Sequence, residues 1–96
     1  MPAAYHLDLA GSLAVLANCL EENGALDAAL QRDREAIAIY RPYFLAQPSA
    51  FVHWIVPICQ QYVARSEKLG REPDKALLAP IAAVLQAMQE GSGDDA

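Results

Sequence analysis

The chain has 96 residues, of which 54 % are hydrophobic and 20 % are charged, and its formal net charge is −5. This composition predicts one globular domain, and a chain this short buries only about 60–65 % of the surface it exposes when unfolded, so we expect a thin core. The negative charge argues against a nucleic-acid partner, because the phosphates would be repelled.

The sequence also indicates the compartment. No continuously apolar run exceeds about ten residues, so neither a membrane-spanning helix nor a membrane partner is expected. A secretory signal is not expected either, since the first basic residue is Arg32 and Asp8 and Asn18 interrupt the apolar run before it. We therefore expect a cytoplasmic protein. Cys19 and Cys59 lack CxxC spacing and a neighbouring histidine, which favours buried reduced thiols over a disulfide or a metal site.

The first predicted element is an amphipathic helix over residues 9–22, with the Asp8 carboxylate as its N-cap. Leucines recur at helical spacing and define one apolar stripe, which consists of Leu9, Leu13, Leu16 and Leu20. Gly24 ends this pattern, because glycine tolerates the left-handed backbone of a helix C-cap. Ala17 lies beside the stripe, where a small side chain lets a second helix approach closely.

A second amphipathic helix is predicted over residues 26–40, extending to about Leu45. A short turn joins it to the first helix, so the two should lie antiparallel and bury their stripes together. Pro42 removes a helical hydrogen bond, and a kink or break is predicted near residues 38–42. Asp33 falls on the apolar face. We favour an edge position in water, and the alternative is a partly buried carboxylate held by an arginine.

The second half of the sequence repeats the first. Pro2-Ala3-Ala4-Tyr5 returns 46 positions later as Pro48-Ser49-Ala50-Phe51, and Gly24 returns as Gly70 at the same offset. After that glycine one residue is inserted, so the offset becomes 47. Such an ordered series indicates an internal repeat.

The repeat predicts a third and a fourth helix. The apolar stripe of helix three contains Phe51, Ile55, Ile58, Cys59, Tyr62 and Val63, and that of helix four contains Leu77, Ile81, Val84, Leu85 and Met88. Pro57 predicts that helix three starts late or bends, and Pro80 predicts a bend in helix four. Pro73 suits the first turn of helix four. Arg65 is the only arginine of helix three, which makes it the expected partner if Asp33 is buried.

These four helices predict an all-α domain over residues 1–90, with one repeat at about 2–47 and the other at about 48–90. Residues 91–96 are predicted to form a disordered acidic tail, because they have nothing to bury. Stacked arrays normally need at least three repeats to cover their apolar surface. We therefore expect a two-fold symmetric homodimer or packing against further repeats.

The first hairpin resembles a tetratricopeptide repeat (TPR) of the longer-period bacterial type. The resemblance rests on Leu13, Ala17 and Leu20 in the first helix, on Gly24, and on Ala29 and Ala36 in the second helix. It is closer over residues 2–48 than over 48–90, where Ser66 stands at the tyrosine-like position. The resemblance implies two helix-turn-helix hairpins of antiparallel helices, in a right-handed α-solenoid fragment or a compact bundle. Its first helices would line a concave groove that binds peptides or proteins.

The same resemblance assigns a set of partner-binding residues on helices one and three. These are Asn18, Glu21, Glu22, Gln60, Ala64 and Lys68. A clamp for a C-terminal carboxylate is not expected, since only Asn18 matches one and Ala14 stands where a lysine would be needed. The alternative interpretation of all these residues is a solvated helix face.

The function that the resemblance implies is a non-catalytic protein–protein interaction module, with a protein or peptide partner and no cofactor or metal. The alternative is a small helical regulatory subunit or an obligate homodimer, in which the repeat pattern records only ancestry. An enzyme is not expected. His6 and His53 lie in corresponding linkers without a nucleophile motif beside them, and the sequence has no phosphate-binding loop and no HExxH.

Overall fold

A computed structural model describes the backbone of residues 3–94 and the side chains of residues 5–90. Four helices make up this part of the chain: α1 (Ala3–Glu22), α2 (Leu26–Ala46), α3 (Pro48–Lys68) and α4 (Lys75–Asp94). Residues 3–94 contain no strand, which confirms the predicted all-α class. Within the same range, no helix combines the length and the apolar character that crossing a membrane requires.

Two glycines end the first helix of each half in the same way. Gly24 and Gly70 have positive φ angles of 80° and 67°. The Gly24 N–H donates to the Glu21 carbonyl at 2.9 Å and the next N–H donates to the Leu20 carbonyl at 2.8 Å, and the same pair of bonds surrounds Gly70. This is the Schellman arrangement, which needs a left-handed residue that glycine adopts without a steric penalty. The predicted glycine C-caps are confirmed.

Two helix starts differ from the prediction. α1 begins at Ala3, so Asp8 lies inside the helix and is not its N-cap. Alanine is the strongest helix former, and no helix breaker separates Ala3 from the apolar stripe. α4 begins at Lys75, one residue after Asp74, whose Oδ1 accepts from the Leu77 N–H at 3.2 Å. Pro73 therefore precedes α4 and does not occupy its first turn.

Three prolines lie inside helices without ending them. α2 continues through Pro42, so the predicted break near residues 38–42 is absent, and α3 begins at Pro48 and continues through Pro57. Each proline, including Pro80 in α4, is followed within two residues by a buried apolar side chain, namely Phe44, Ile58 and Ile81. Burying such a side chain contributes about 1.5–3 kcal/mol, which offsets much of the ~3 kcal/mol that an interior proline costs.

α4 extends to Asp94, and its backbone therefore continues into the segment predicted as a tail. Asp95 and Ala96 lie outside the described residues, as do Met1 and Pro2 of the first linker. The disordered tail over residues 91–96 stays a prediction.

The core is built around α2, which packs against α1, α3 and α4. The buried apolar cluster consists of Ala10, Leu30, Ala36, Ile37, Tyr40, Phe44, Ile55, Ile58, Tyr62 and Ile81. The backbone of α4 approaches α2 at more positions than it approaches α3. The radius of gyration is 14.0 Å, somewhat above the about 12.5 Å expected of a compact chain of this length. The chain is therefore slightly less compact than an average chain of its length.

α1 is buried through its small residues and not through its whole leucine stripe. Ala10 and Ala17 are fully buried, whereas Leu9 is 39 % exposed and Leu16 is 44 % exposed. The prediction that the leucine stripe packs against the second helix is therefore wrong for half of its members. The small side chains Ala10 and Ala17 are the fully buried residues of α1, and Leu9 and Leu16 lie at its exposed side.

Ala17 and Ala29 should be sensitive to added bulk, because both are fully buried on helices that pack against each other. We expect Ala17→Leu and Ala29→Leu each to lower the free energy of unfolding by about 1–3 kcal/mol, since overpacking forces the backbones apart. Urea denaturation measures this loss. Ala38→Leu, the same change at an exposed position of α2, is the matched control and should leave stability nearly unchanged. Equal stability of all three variants would contradict the described packing.

Candidate functional site

α1 and α3 run side by side across α2 and leave a groove between them, here called the α1–α3 groove. One end is a cavity of about 640 Å³, whose apolar lining comes from Leu7, Gly11, Val15, Tyr40, Phe51 and Trp54. The other end is a polar cavity of about 390 Å³, lined by Asn18, Glu21, Glu22, Gln61 and Arg65. Gly11, Val15, Asn18 and Glu22 follow helical spacing along one side of α1, so both ends lie on the same side of the helix.

The apolar end exposes two large side chains to solvent. Val15 on α1 is 62 % exposed and Trp54 on α3 is 60 % exposed. Tyr40 of α2 is buried beneath them, and its hydroxyl donates to the Leu7 carbonyl at 3.4 Å. Burial, and secondarily the nearby Asp8 carboxylate, raises the pKa of Tyr40. An exposed tryptophan over a buried floor can stack on an apolar ligand.

The polar end is organised by Arg65, whose side chain is 3 % exposed. Its Nη1 donates to both oxygens of Asp33 at 2.8 and 2.6 Å. Its Nε donates to Glu21 Oε1 and its Nη2 donates to Asn18 Oδ1, each at 2.6 Å. One guanidinium on α3 thus joins α1 to α2. Lys68 completes the group by donating to Glu21 Oε2 at 2.7 Å.

Asp33 is buried, and the favoured prediction of an edge position in water is wrong. The residue is 1 % exposed, and Arg65 holds both carboxylate oxygens. A carboxylate can lose its water only if hydrogen bonds replace it, and Arg65 Nη1 supplies them by donating to both oxygens. The sequence offered the correct alternative, since Arg65 was the only arginine available on helix three.

Burial and hydrogen bonding shift the pKa values of the charged side chains in this group. Burial raises the pKa of the Asp33 carboxyl, and the hydrogen bonds from Arg65 oppose that change. Burial acts to lower the pKa of Arg65, but the hydrogen bonds to Asp33 and Glu21 raise it on balance, so the guanidinium stays charged. Hydrogen bonds from Lys68 and then Arg65 hold the pKa of Glu21 below its ordinary value.

Of the six predicted binding residues, four lie at the polar end of the groove and two lie outside its cavity. Asn18, Glu21 and Glu22 line the polar end of the groove, and Lys68 reaches it through Glu21. Gln60 and Ala64 are exposed on α3 but do not line that cavity. Their neighbours Gln61 and Arg65 take these places, one position further along the chain.

Sequence reasoning also missed the apolar end, with Val15 and Trp54. A signal was present in helix three, where Trp54, Gln61, Arg65 and Lys68 share one side at helical spacing. The sequence does not show that this side lines a groove. It follows only from the structure, in which Ile55 and Tyr62 are the buried side of α3.

The histidines and cysteines are dispersed. His6 Nδ1 lies 2.8 Å from the Tyr43 hydroxyl, and His53 is exposed. Cys19 is exposed, so its predicted burial is wrong, whereas Cys59 is partly buried and desolvation raises its pKa to about 11. Among residues 5–90, no three histidine, cysteine, aspartate or glutamate side chains are grouped closely enough to hold a metal ion.

No protein-family model matches the chain, and no curated protein or solved structure matches it. The resemblance to tetratricopeptide repeats therefore rests on the residues named above alone.

Asp33 and Arg65 should be strongly coupled energetically. Removing one partner of a buried ion pair leaves an unpaired charge, which typically costs about 3–5 kcal/mol. We expect Asp33→Ala and Arg65→Ala each to destabilise the fold severely, and the double variant to lose clearly less than the sum of the two. Urea denaturation of the four proteins in a double-mutant cycle measures the coupling.

The control for this cycle is the exposed pair of Asp27 and Arg71, whose side chains are 67 % and 57 % exposed. An exposed pair contributes about 0–1 kcal/mol, so the corresponding cycle should be nearly additive. Additive effects in both cycles would show that burial of Asp33 and Arg65 adds nothing to their interaction.

Glu21 should make stability depend on acidity. Its pKa is lower in the folded state than the ordinary value of 4.5, so the folded state binds its proton less readily than the unfolded chain does. Its contribution is therefore present above pH 4.5 and is lost as the pH falls through the folded value. We expect Glu21→Gln to reduce stability at pH 7 and to lose less on acidification than the parent.

Urea denaturation at pH 7 and pH 3 measures this difference. Glu22→Gln, an exposed neighbour on the same helix, is the matched control and should follow the parent. The raised pKa of Asp33 acts in the opposite direction, so only the comparison between variants isolates Glu21. An acid response of Glu21→Gln as steep as that of the parent would contradict the assignment.

Proposed function

We propose that this chain is a non-catalytic protein–protein interaction module that binds a peptide or protein segment in the α1–α3 groove. The observation that carries the proposal is the pair of exposed side chains Val15 and Trp54, which line one cavity above the buried Tyr40. Tryptophan is enriched among the residues that dominate binding energy at interfaces. An open groove with such a residue at its wall suits an extended or helical peptide.

The polar end of the groove supports the proposal by its rigidity. Arg65 ties Asn18 and Glu21 of α1 to Asp33 of α2, so the facing helices hold a fixed separation without a ligand. A groove formed before binding loses less conformational entropy when it is occupied.

The partner we propose carries a large apolar side chain for the Val15–Trp54 end and a basic side chain for the opposite end. Glu22 is exposed at the polar cavity, where its carboxylate can bind that basic side chain. The net charge of −5 favours the approach of a basic segment.

The proposal includes a TPR-like arrangement of two hairpins in a solenoid fragment. It is supported by the matching glycine C-caps at Gly24 and Gly70 and by the position of α2 between α1 and α3. The loose approach of α4 to α3 supports the alternative of a compact bundle. A cytoplasmic location is part of the proposal, and the unpaired thiols Cys19 and Cys59 are consistent with a reducing compartment.

A phage-displayed library of random peptides, selected on the immobilised chain, tests the binding function. Trp54 is the only tryptophan, so its fluorescence reports occupation of the groove when a selected synthetic peptide is titrated. We expect selected peptides to share an apolar and a basic residue, to shift the Trp54 emission, and to bind Val15→Glu at least roughly tenfold more weakly.

Trp54→Ala provides the second groove variant, with binding followed by calorimetry since its fluorescence is lost. Tyr5→Ala is the matched control, because it removes an aromatic ring that is 52 % exposed and does not line the groove cavities. Peptides that bind both groove variants as tightly as the parent, or a library that yields no binder, would contradict the proposed function.

A further inference from the structure

α1 has a second exposed apolar face, on the side away from the α1–α3 groove. Among the described side chains, four of the six large exposed hydrophobic ones belong to α1. Val15 belongs to the groove, whereas Tyr5, Leu9 and Leu16 follow helical spacing on another side of the helix. We call these three residues the outer face of α1.

The internal repeat shows what covers the corresponding face in the second half of the chain. At the offset of 46, Leu9 corresponds to Ile55 and Leu16 corresponds to Tyr62. Ile55 is 0 % exposed and Tyr62 is 2 % exposed, and both lie in the core that α2 forms with α3. The face that α3 buries against the helix preceding it is therefore the face that α1 leaves open.

We propose that the outer face of α1 binds helix α4 of a second copy of this chain. By the repeat, α4 is the counterpart of α2. α2 itself is not available, because α1, α3 and α4 already surround it. This inference concerns a face separate from the groove and does not depend on the proposed function.

The exposed side of α4 is suited to this contact. Four of its exposed residues are alanines at helical spacing, Ala76, Ala79, Ala83 and Ala87, and small side chains let the leucines of a second helix approach closely. If α4 lies antiparallel to α1, as a helix in the position of α2 does, Lys75 at its start comes to the acidic end of α1 at Glu22. A contact of α1 with α1 of a second copy lacks this complementarity, because α1 has no lysine or arginine.

The contact we propose joins two different surfaces, so copies associate head to tail. Such contacts extend into an open chain, or close into a ring when the rotation between copies allows it, and a ring of two copies makes the contact twice. We expect the mass of the parent chain to rise with concentration above the 10.4 kDa of one chain.

Two variants, each blocked on one surface, test the arrangement by sedimentation equilibrium. Leu9→Glu with Leu16→Glu blocks α1, and Ala79→Glu with Ala83→Glu blocks α4. Each variant alone should be a monomer, because every contact needs both surfaces. An equimolar mixture should form a one-to-one pair of twice 10.4 kDa, since one partner keeps an intact α4 and the other an intact α1. Val15→Glu, which changes the groove side of α1, should associate as the parent does.

The outcomes separate the arrangements. The proposal would be overturned if the variant blocked on α4 still formed dimers while the variant blocked on α1 did not. That result would indicate a symmetric contact between two α1 helices. A parent that stays monomeric at every concentration would also overturn it. Thermal melting checks that each variant is folded, and the single variants Leu16→Glu and Ala83→Glu replace any double variant that melts at a lower temperature.

Discussion

The structure depends on one buried guanidinium. Removing an arginine and an aspartate from water costs several kcal/mol for each ion, and the cost is offset only when every donor and acceptor finds a partner. Each of the three nitrogens of Arg65 donates to a side-chain oxygen, from Glu21, Asp33 or Asn18. No buried side-chain nitrogen or oxygen of the described residues lacks a partner. Since these partners lie on α1 and α2, α3 cannot slide along its neighbours without leaving a buried charge unpaired.

The hydrogen bonds of Arg65 also determine how α1 is oriented. Its small residues Ala10 and Ala17 lie against α2, and its polar end is tied to Arg65. With the helix held in this orientation, Val15 lies in the groove beside Trp54, while Leu9 and Leu16 point away from the core. α1 therefore has two exposed apolar surfaces, for which we propose different partners.

The two halves share a sequence pattern but not the same packing. Ala29 and Ala36 are fully buried in α2, whereas their counterparts Ala76 and Ala83 are exposed on α4. α4 uses Ile81 to reach the core formed by α2, and Arg34 and Arg41 of α2 bind Asp74 and the Leu77 carbonyl at its start. These contacts join α4 to α2, while its alanines Ala76 and Ala83 remain exposed.

The sequence by itself determined the local features. Four helices, the glycine C-caps and the boundary at Gln47-Pro48 follow from periodicity and from the φ angles that glycine and proline allow. Only the tertiary structure decided which residues of helix three line the groove. It also decided that Asp33 is buried and that Leu9 and Leu16 are exposed. The physical reason is that helical spacing shows which residues share a side but not which side a neighbouring helix covers. That choice depends on contacts between residues far apart in the chain, above all those of Arg65 with Asp33 and Asn18.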